Sequence, residues 1–369
     1  MQAVFGSPGR YVQGAGAIEV LGEHAARLGS NALLVADRMV MGMVGDRLVR
    51  LCEQAGVATR SVSFDEALTP GLVARLAAEA GQPGPDLVVA AGGGRSIDAG
   101  KALADHFGVP VITVPTVASN DAPTSKNYVL YDEAHRLLAV RHLSYSPSSV
   151  IADTALIAQA PAPMLLAGIG DAISKMFEAE QCARAPAGRN MFGTRPLLSA
   201  AALARACHAV LMADAQDALA AAGTGTPTPP FERVVEATIL MSGLGFESGG
   251  LSIAHALTRG LSALRGVSHA PHGLQVAFGL LVQLELERRD DAARTEVEAL
   301  YRSIGLPLCL ADLGLPDATQ EELRHAAELS LAAPHMRNFM REPDAGDLVA
   351  AMRAVNARAL QMVQAAEAS

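Results

Sequence analysis

Three residues far apart in the chain carry the side chain types from which a catalytic metal site can be built: Asp171, His255 and His272. Asp171 stands in Gly168-Ile169-Gly170-Asp171-Ala172, among helix formers. His255 lies in the apolar helical stretch Ser252-Ile253-Ala254-His255-Ala256-Leu257, and His272 falls between Pro271 and Gly273. Two imidazoles and one carboxylate leave a fourth position open on a divalent cation, and both Zn²⁺ and Fe²⁺ accept such ligands. A structural zinc would draw on cysteines, but Cys52, Cys182, Cys207 and Cys309 are scattered without a paired spacing and read as reduced thiols. Taken singly, each histidine is more ordinary as a satisfied core or helix-end residue than as a ligand. His269, close before His272, is either a solvated loop residue or an imidazole placed to move a proton. His106, His135 and His142 stand in no partner pattern.

A second group of residues could hold a nucleotide. Gly92-Gly93-Gly94-Arg95-Ser96-Ile97-Asp98 lies between an apolar run and a helical stretch. Glycines there let backbone N–H groups approach an anion, and the helix start adds its positive end, which together suit a dinucleotide pyrophosphate. The motif is not G-x-G-x-x-G, and a tight turn is the plain alternative. Asp37 closes an apolar run; an acid so placed can bind ribose hydroxyls and repel a 2′-phosphate, favouring NAD over NADP, or can simply cap a helix. Residues 116–125, Thr-Val-Ala-Ser-Asn-Asp-Ala-Pro-Thr-Ser, are dense in polar groups, as expected of a crevice loop or of an ordinary side chain-bonded turn.

The elements around these residues predict an α/β architecture. Segments 31–37, 86–91 and 109–115 read as buried strands, and 44–55 and 96–107 as helices, so residues 1–160 form a doubly wound, parallel, Rossmann-like sheet domain. From Pro161 the chain turns to Ala/Leu-rich helical segments, giving an all-α domain over 161–369, with 223–230 read as a loop because of its paired prolines. At 369 residues two domains are the natural division, and 50% hydrophobic against 18% charged residues rules against a disordered chain. A net charge of −9 with no basic block excludes a nucleic-acid or anionic-membrane surface. The first ten residues lack a basic segment followed by an apolar one, and no uncharged run is long enough to span a bilayer, so a soluble, cytoplasmic protein is expected.

In their order these segments resemble the iron-containing alcohol dehydrogenase family, particularly its glycerol dehydrogenase branch. Gly-Gly-Gly-Arg-Ser-Ile-Asp at 92–98 is similar to that family's Gly-Gly-Gly-Lys-(Ser/Thr)-x-Asp loop. Also similar are Val-Pro-Thr-Val-Ala-Ser-Asn-Asp-Ala-Pro at 114–123, Ala-Gly-Ile-Gly-Asp-Ala at 167–172 followed by Phe-Glu-Ala-Glu at 177–180, and Gly-Phe-Glu-Ser-Gly-Gly-Leu at 245–251 leading to His255. His272-Gly273 and Val-Ala-Phe-Gly at 276–279 complete the set.

The resemblance implies a dehydroquinate synthase-like, two-domain fold with its active site in the cleft between domains. It implies one divalent metal on Asp171, His255 and His272, with Zn²⁺ ahead of Fe²⁺. NAD contacts would come from Asp37, Gly93, Gly94, Arg95, Ser96, Asp98, Thr116, Ser119, Ser125, Asn127 and Tyr131. A substrate hydroxyl would be held by Asp121, with Phe246 as pocket wall and His269 as proton relay. The implied activity is NAD-dependent oxidation of a small vicinal polyol, glycerol to dihydroxyacetone, by a homo-oligomer. The alternatives are a dehydrogenase of an anionic substrate (glycerol 1-phosphate or a 2-hydroxy acid) and a non-catalytic NAD- and metal-binding sensor. Arg95 departs from the family's Lys, Asn120 from a common Thr and Met176 from a common Trp. Lys126, Asn127 and Tyr128 replace smaller or apolar residues, and Pro271 and Leu274 alter the flank of His272.

Overall fold

The computed structural model describes residues 2–133 and 136–367; His135 lies outside them. Six strands form one parallel sheet: β1 (Tyr11–Gly14), β2 (Asn31–Asp37), β3 (Ala58–Phe64), β4 (Leu87–Gly92), β5 (Val111–Pro115) and β8 (Ser149–Asp153), in the order β1-β8-β5-β4-β2-β3. Every neighbouring pair is parallel. Such a sheet is covered on both faces, and its central strands therefore read as continuous apolar runs. Successive residues show the two faces directly. Leu34, Val89, Ile112 and Ile151 enter one buried cluster, while Leu33, Val35, Val88 and Ala90 enter the other. That period of two, with helices on each side, is the doubly wound arrangement read from the sequence.

From β2 the chain moves outward to β3 and then returns across β2 to β4. The carboxyl ends of β2 and β4 thus flank the point where the winding reverses, the usual crevice for a ligand in such sheets. Asp37 is the last residue of β2, and Gly92 the last of β4. A separate antiparallel pair, β6 (Asn127–Tyr131) and β7 (Leu137–His142), follows the loop after β5.

The chain divides into two compact units. One comprises Gly6–Leu165 with Ala220–Gly243, and the other Leu166–Leu219 with the chain from Leu244 onward and the residues just before Gly6. Residues 220–243 thus belong to the sheet-bearing unit, whereas the sequence reading put them in the helical half. There Gln13 Nε2 donates to Glu232 Oε2 at 3.0 Å, and Thr124 Oγ1 to the Ile239 carbonyl at 2.8 Å. The loop expected over 223–230 also needs correction. Pro229 and Pro230 open the helix Pro229–Val235 behind the N-cap Thr228. Proline has no N–H to lose at a first turn, so the pair starts a helix instead of ending one.

The second unit is helical, with no strand among its described residues. Two of its glycines let the helices Ala162–Ala172 and His272–Glu287 approach closely. A Cβ on Gly273 would lie 1.8 Å from the Ala167 carbonyl oxygen, and one on Gly170 would lie 2.6 Å from that of Gly273. This contact sets the start of one helix, with His272, beside the end of the other, with Asp171. The four cysteines are free thiols. One helix, Leu198–Ala221, is long and apolar enough by length and composition to cross a membrane.

Candidate metal centre and nucleotide loops

The helical unit brings Asp171, His255 and His272 together, each offering one ligand atom, all within 4.8 Å of one another. Asp171 is buried, His255 nearly so, and His272 keeps a face open to solvent. His255 Nε2 lies 3.0 Å from Asp171 Oδ1, and the two imidazole centroids are 5.5 Å apart. A buried carboxylate and two imidazoles converging on one point, with one ligand at the solvent boundary, match the donor chemistry of a divalent cation with an open position.

Glu178, buried, orients the ring of His255. Its Oε2 accepts from His255 Nδ1 at 2.6 Å and from Ser174 Oγ at 3.0 Å; its Oε1 accepts from the backbone N–H of Ser252 at 2.7 Å and of His255 at 3.0 Å. A carboxylate can only accept, so Nδ1 must donate and Nε2 is the atom turned to the cluster. Burial alone would raise the Glu178 pKa, but the His255 imidazole, with Lys175 behind it, brings it to about 2. Burial lowers the pKa of His255, and the Glu178 carboxylate together with the hydrogen bonds to Asp171 and Glu178 outweighs this, leaving it raised. Desolvation on its crowded side, with His255 and Lys175 adding to it, pushes His272 down to about 4, which leaves the neutral imidazole a metal needs.

Reading from the sequence missed two members of this cluster. Lys175 Nζ lies 2.6 Å from Asp171 Oδ1 and 3.0 Å from His255 Nε2. Burial acts to raise the Asp171 pKa, but Lys175 and the histidines hold it far below the usual carboxylate range. Glu178, within Phe-Glu-Ala-Glu at 177–180, has no role in the sequence reading. Their signal was present: Asp171, Lys175 and Glu178 are spaced i, i+4, i+7, one face of a helix. Only Ile173-Ser174 separates Ala162–Ala172 from Lys175–Arg184. Phe246 is buried with its ring centroid 5.8 Å from Lys175 Nζ, beside the cluster. His269, by contrast, is exposed at the end of the turn Val267–His269 and is not one of the three converging ligands.

In the sheet-bearing unit the nucleotide candidates gather at the carboxyl ends of β2, β4 and β5. Gly92 has φ +136°, and a Cβ there would sit 2.6 Å from that of Ser96, so the turn out of β4 requires glycine. Gly93 caps the helix Gly94–Phe107, leaving that helix's first N–H groups without intrahelical partners. Asp37 serves both of its readings. Its Oδ1 accepts from Val40 N at 3.0 Å as a helix cap, and its Oδ2 accepts from Ser96 Oγ at 3.0 Å. That bond ties the end of β2 to the glycine loop.

Arg95 is exposed and donates to the Asp65 carbonyl at 2.8 Å, its guanidinium over the Phe64 ring at 5.7 Å, so its charge is engaged beside the end of β3. Asn120 packs against Gly94 and accepts from Ala122 N at 3.1 Å. Asp121 is buried, its Oδ2 accepting from Ser242 Oγ at 2.7 Å. Thr116 N donates to the Gly92 carbonyl at 3.2 Å, binding the two loops, and Ser119 beyond it is half-buried. Asp98, pushed up to about 6 by burial against the pull of Lys101, accepts from Val129 N at 3.1 Å and so anchors β6. Tyr131, at the end of β6, is partly exposed.

Lys101 was also missed. Fully buried, it donates to the carbonyls of Ala122 at 2.5 Å and Asn127 at 2.6 Å, and lies 3.4 Å from Ser125 Oγ. It thereby fixes the polar loop after β5 and the start of β6 to the helix of the glycine loop. Lys101→Met leaves two carbonyls unpaired, so the protein is expected to lose about 2–4 kcal/mol of stability. The KM for the nucleotide should rise more than kcat falls, and thermal melting with steady-state kinetics checks both. An unchanged KM would mean that the loop holds its shape without Lys101.

Residues 8–154 match the family model described as iron-containing alcohol dehydrogenase. A glycerol dehydrogenase from Pseudomonas putida is 40% identical over 332 residues, 90% of this chain and 91% of that one. A glycolaldehyde reductase from Halobacterium salinarum is 38% identical, over 89% of this chain and 90% of the other. Among solved structures, a probable glycerol dehydrogenase from Sinorhizobium meliloti 1021 superposes with a TM-score of 0.90 at 35% identity, covering 98% of this chain and 100% of that one.

Proposed function

We propose, from the premise that this chain belongs to the iron-containing alcohol dehydrogenase family, that it oxidises a small vicinal polyol, glycerol to dihydroxyacetone, with NAD⁺ and one divalent metal. The observation that carries the reading is the convergence of Asp171, His255 and His272, with Glu178 setting the tautomer of His255. Those three residues would hold the cation, with zinc preferred to iron for a site of imidazole and carboxylate donors. When bound, the cation supplies Lewis-acid polarisation of a substrate hydroxyl, and the nicotinamide supplies the hydride acceptor.

The chain's own residues do the positioning. The loops at 92–98 and 116–125 receive the dinucleotide, the open N–H groups at Gly93 and Gly94 facing its pyrophosphate and Asp37 its ribose. Arg95, Ser96, Asp98, Ser125, Asn127 and Tyr131 belong to the same reading, several of them by shaping the loops. Asp121 accepts from a substrate hydroxyl as it does from Ser242 Oγ, and Phe246 excludes water beside the metal ligands. His269, exposed close to His272, takes the departing proton to solvent. The reading also carries assembly as a homo-oligomer and a cytoplasmic location. Relatives do not favour the anionic-substrate or sensor alternatives.

The test is the initial rate of NAD⁺ reduction by zinc-loaded protein with glycerol, 1,2-propanediol, glycerol 1-phosphate and 2-hydroxybutyrate. Neutral diols are expected to turn over, and a chelator to abolish that activity until zinc is returned. Turnover confined to the anionic compounds would overturn the substrate class, and full activity in the chelator would overturn the metal.

A further inference from the structure

Two of the three candidate metal ligands already hold a cation of the chain's own. Lys175 is 1% exposed at its side chain, and its ammonium bonds two of the three ligand residues at the atoms a metal would use, Asp171 Oδ1 and His255 Nε2. We propose that Lys175 is a tethered competitor for the metal position: it fills the cluster when metal is absent and must swing out for metal to enter. This rests on the metal-site reading above.

The exclusion is geometric and electrostatic. A divalent cation sits about 2.0–2.2 Å from imidazole nitrogen and carboxylate oxygen, and the Lys175 ammonium already bonds those same two atoms at 2.6 and 3.0 Å. A protonated lysine has three donors and no lone pair, so it cannot join the coordination shell. His255 Nε2 has a single lone pair and cannot serve both cations, and two like charges in a buried site repel strongly. Phe246, its centroid 5.8 Å from Nζ, offers an aromatic face on which the displaced ammonium can rest. By linkage, whatever Lys175 contributes to the metal-free fold is subtracted from metal affinity. The site is thereby stable when empty and takes metal less tightly than its donors alone would allow.

The experiment measures zinc affinity by competition against a chromogenic chelator, together with the melting temperature of metal-free protein, for wild type, Lys175→Met, Lys175→Arg and His272→Ala. Methionine keeps the length and apolar stem of lysine without the charge. Lys175→Met is expected to bind zinc on the order of tenfold to a hundredfold tighter, while its metal-free form melts lower because Asp171 has lost its partner. Lys175→Arg, which keeps a charge in place, should keep the weaker affinity. Equal zinc affinity in wild type and Lys175→Met, both tighter than His272→Ala, would overturn the competition and leave the metal site standing. Weaker binding by Lys175→Met would make Lys175 a ligand and also overturn it. Failure of wild type and Lys175→Met alike to bind zinc would overturn the metal-site reading and this proposal with it. Should Lys175→Met fail to fold, Lys175→Gln carries the same comparison.

Discussion

Asp171→Asn is expected to abolish metal binding and to lower kcat/KM with a vicinal diol by about a thousandfold or more, because it removes the only anionic ligand of the cluster. It is also expected to destabilise the metal-free protein. Asp171 is 3% exposed at its side chain and pairs with Lys175, itself 1% exposed. Removing one partner of such a pair leaves an uncompensated buried charge, at a cost of about 3–5 kcal/mol. A second substitution separates the two effects. In Asp171→Asn with Lys175→Met no buried charge is stranded, so thermal melting should return most of the way to wild type. Metal content by elemental analysis and kcat/KM should not recover. A double variant that regains activity would show that Asp171 is needed for folding alone, whereas a single variant as stable as wild type would mean that Lys175 finds another counter-charge.

What could be read in the sequence follows burial. β2, β4 and β5 have interiors that are apolar on both faces and were legible as runs of Ala, Leu, Val and Ile. β3, at the sheet edge, stays exposed or half-exposed through Ala58-Thr59-Arg60-Ser61 before Val62 is buried, and that polar half hid it. β1 has four half-buried residues, and β8 offers only Val150-Ile151-Ala152 as an apolar run between Ser149 and Asp153, too little pattern to stand out. The β6–β7 pair carries exposed residues over much of β7, so it gives no hydrophobic signal. Among site residues Asp171, His255 and His272, which the fold brings together, were legible through their chemistry and family order. Lys175 and Lys101 were not, because a lysine is ordinarily a solvated surface residue. Nothing local to Lys101 reveals that its ammonium is buried against carbonyls of the loop after β5; for Lys175 the spacing to Asp171 is local, but its other partner, His255, comes from 80 positions away. The partner of Asp37 was equally hidden, since its bond to Ser96 joins residues 59 positions apart.

Glu178→Gln should separate the role of a residue that touches His255 from that of the ligands themselves. Both carboxylate oxygens of Glu178 accept from two donors: Oε2 from His255 Nδ1 and Ser174 Oγ, and Oε1 from the backbone N–H groups of Ser252 and His255. A glutamine amide has one oxygen and one NH₂, so either orientation sets donors against donors. If the NH₂ faces the two backbone N–H groups, they lose their acceptor and repel it. If it faces the ring, Nδ1 must become the acceptor, the proton moves to Nε2, and Nε2 can no longer ligate. The expected result is a 10- to 100-fold loss of metal affinity, of the size usual for partners that orient a ligand, with kcat/KM falling in step and recovering in part at saturating zinc. That recovery distinguishes Glu178→Gln from His272→Ala, which no zinc concentration should rescue. Nitrogen-15 chemical shifts of the His255 ring in metal-free protein report the tautomer directly. Unchanged shifts and unchanged zinc affinity would show that the fold around His255, and not Glu178, fixes which nitrogen faces the metal.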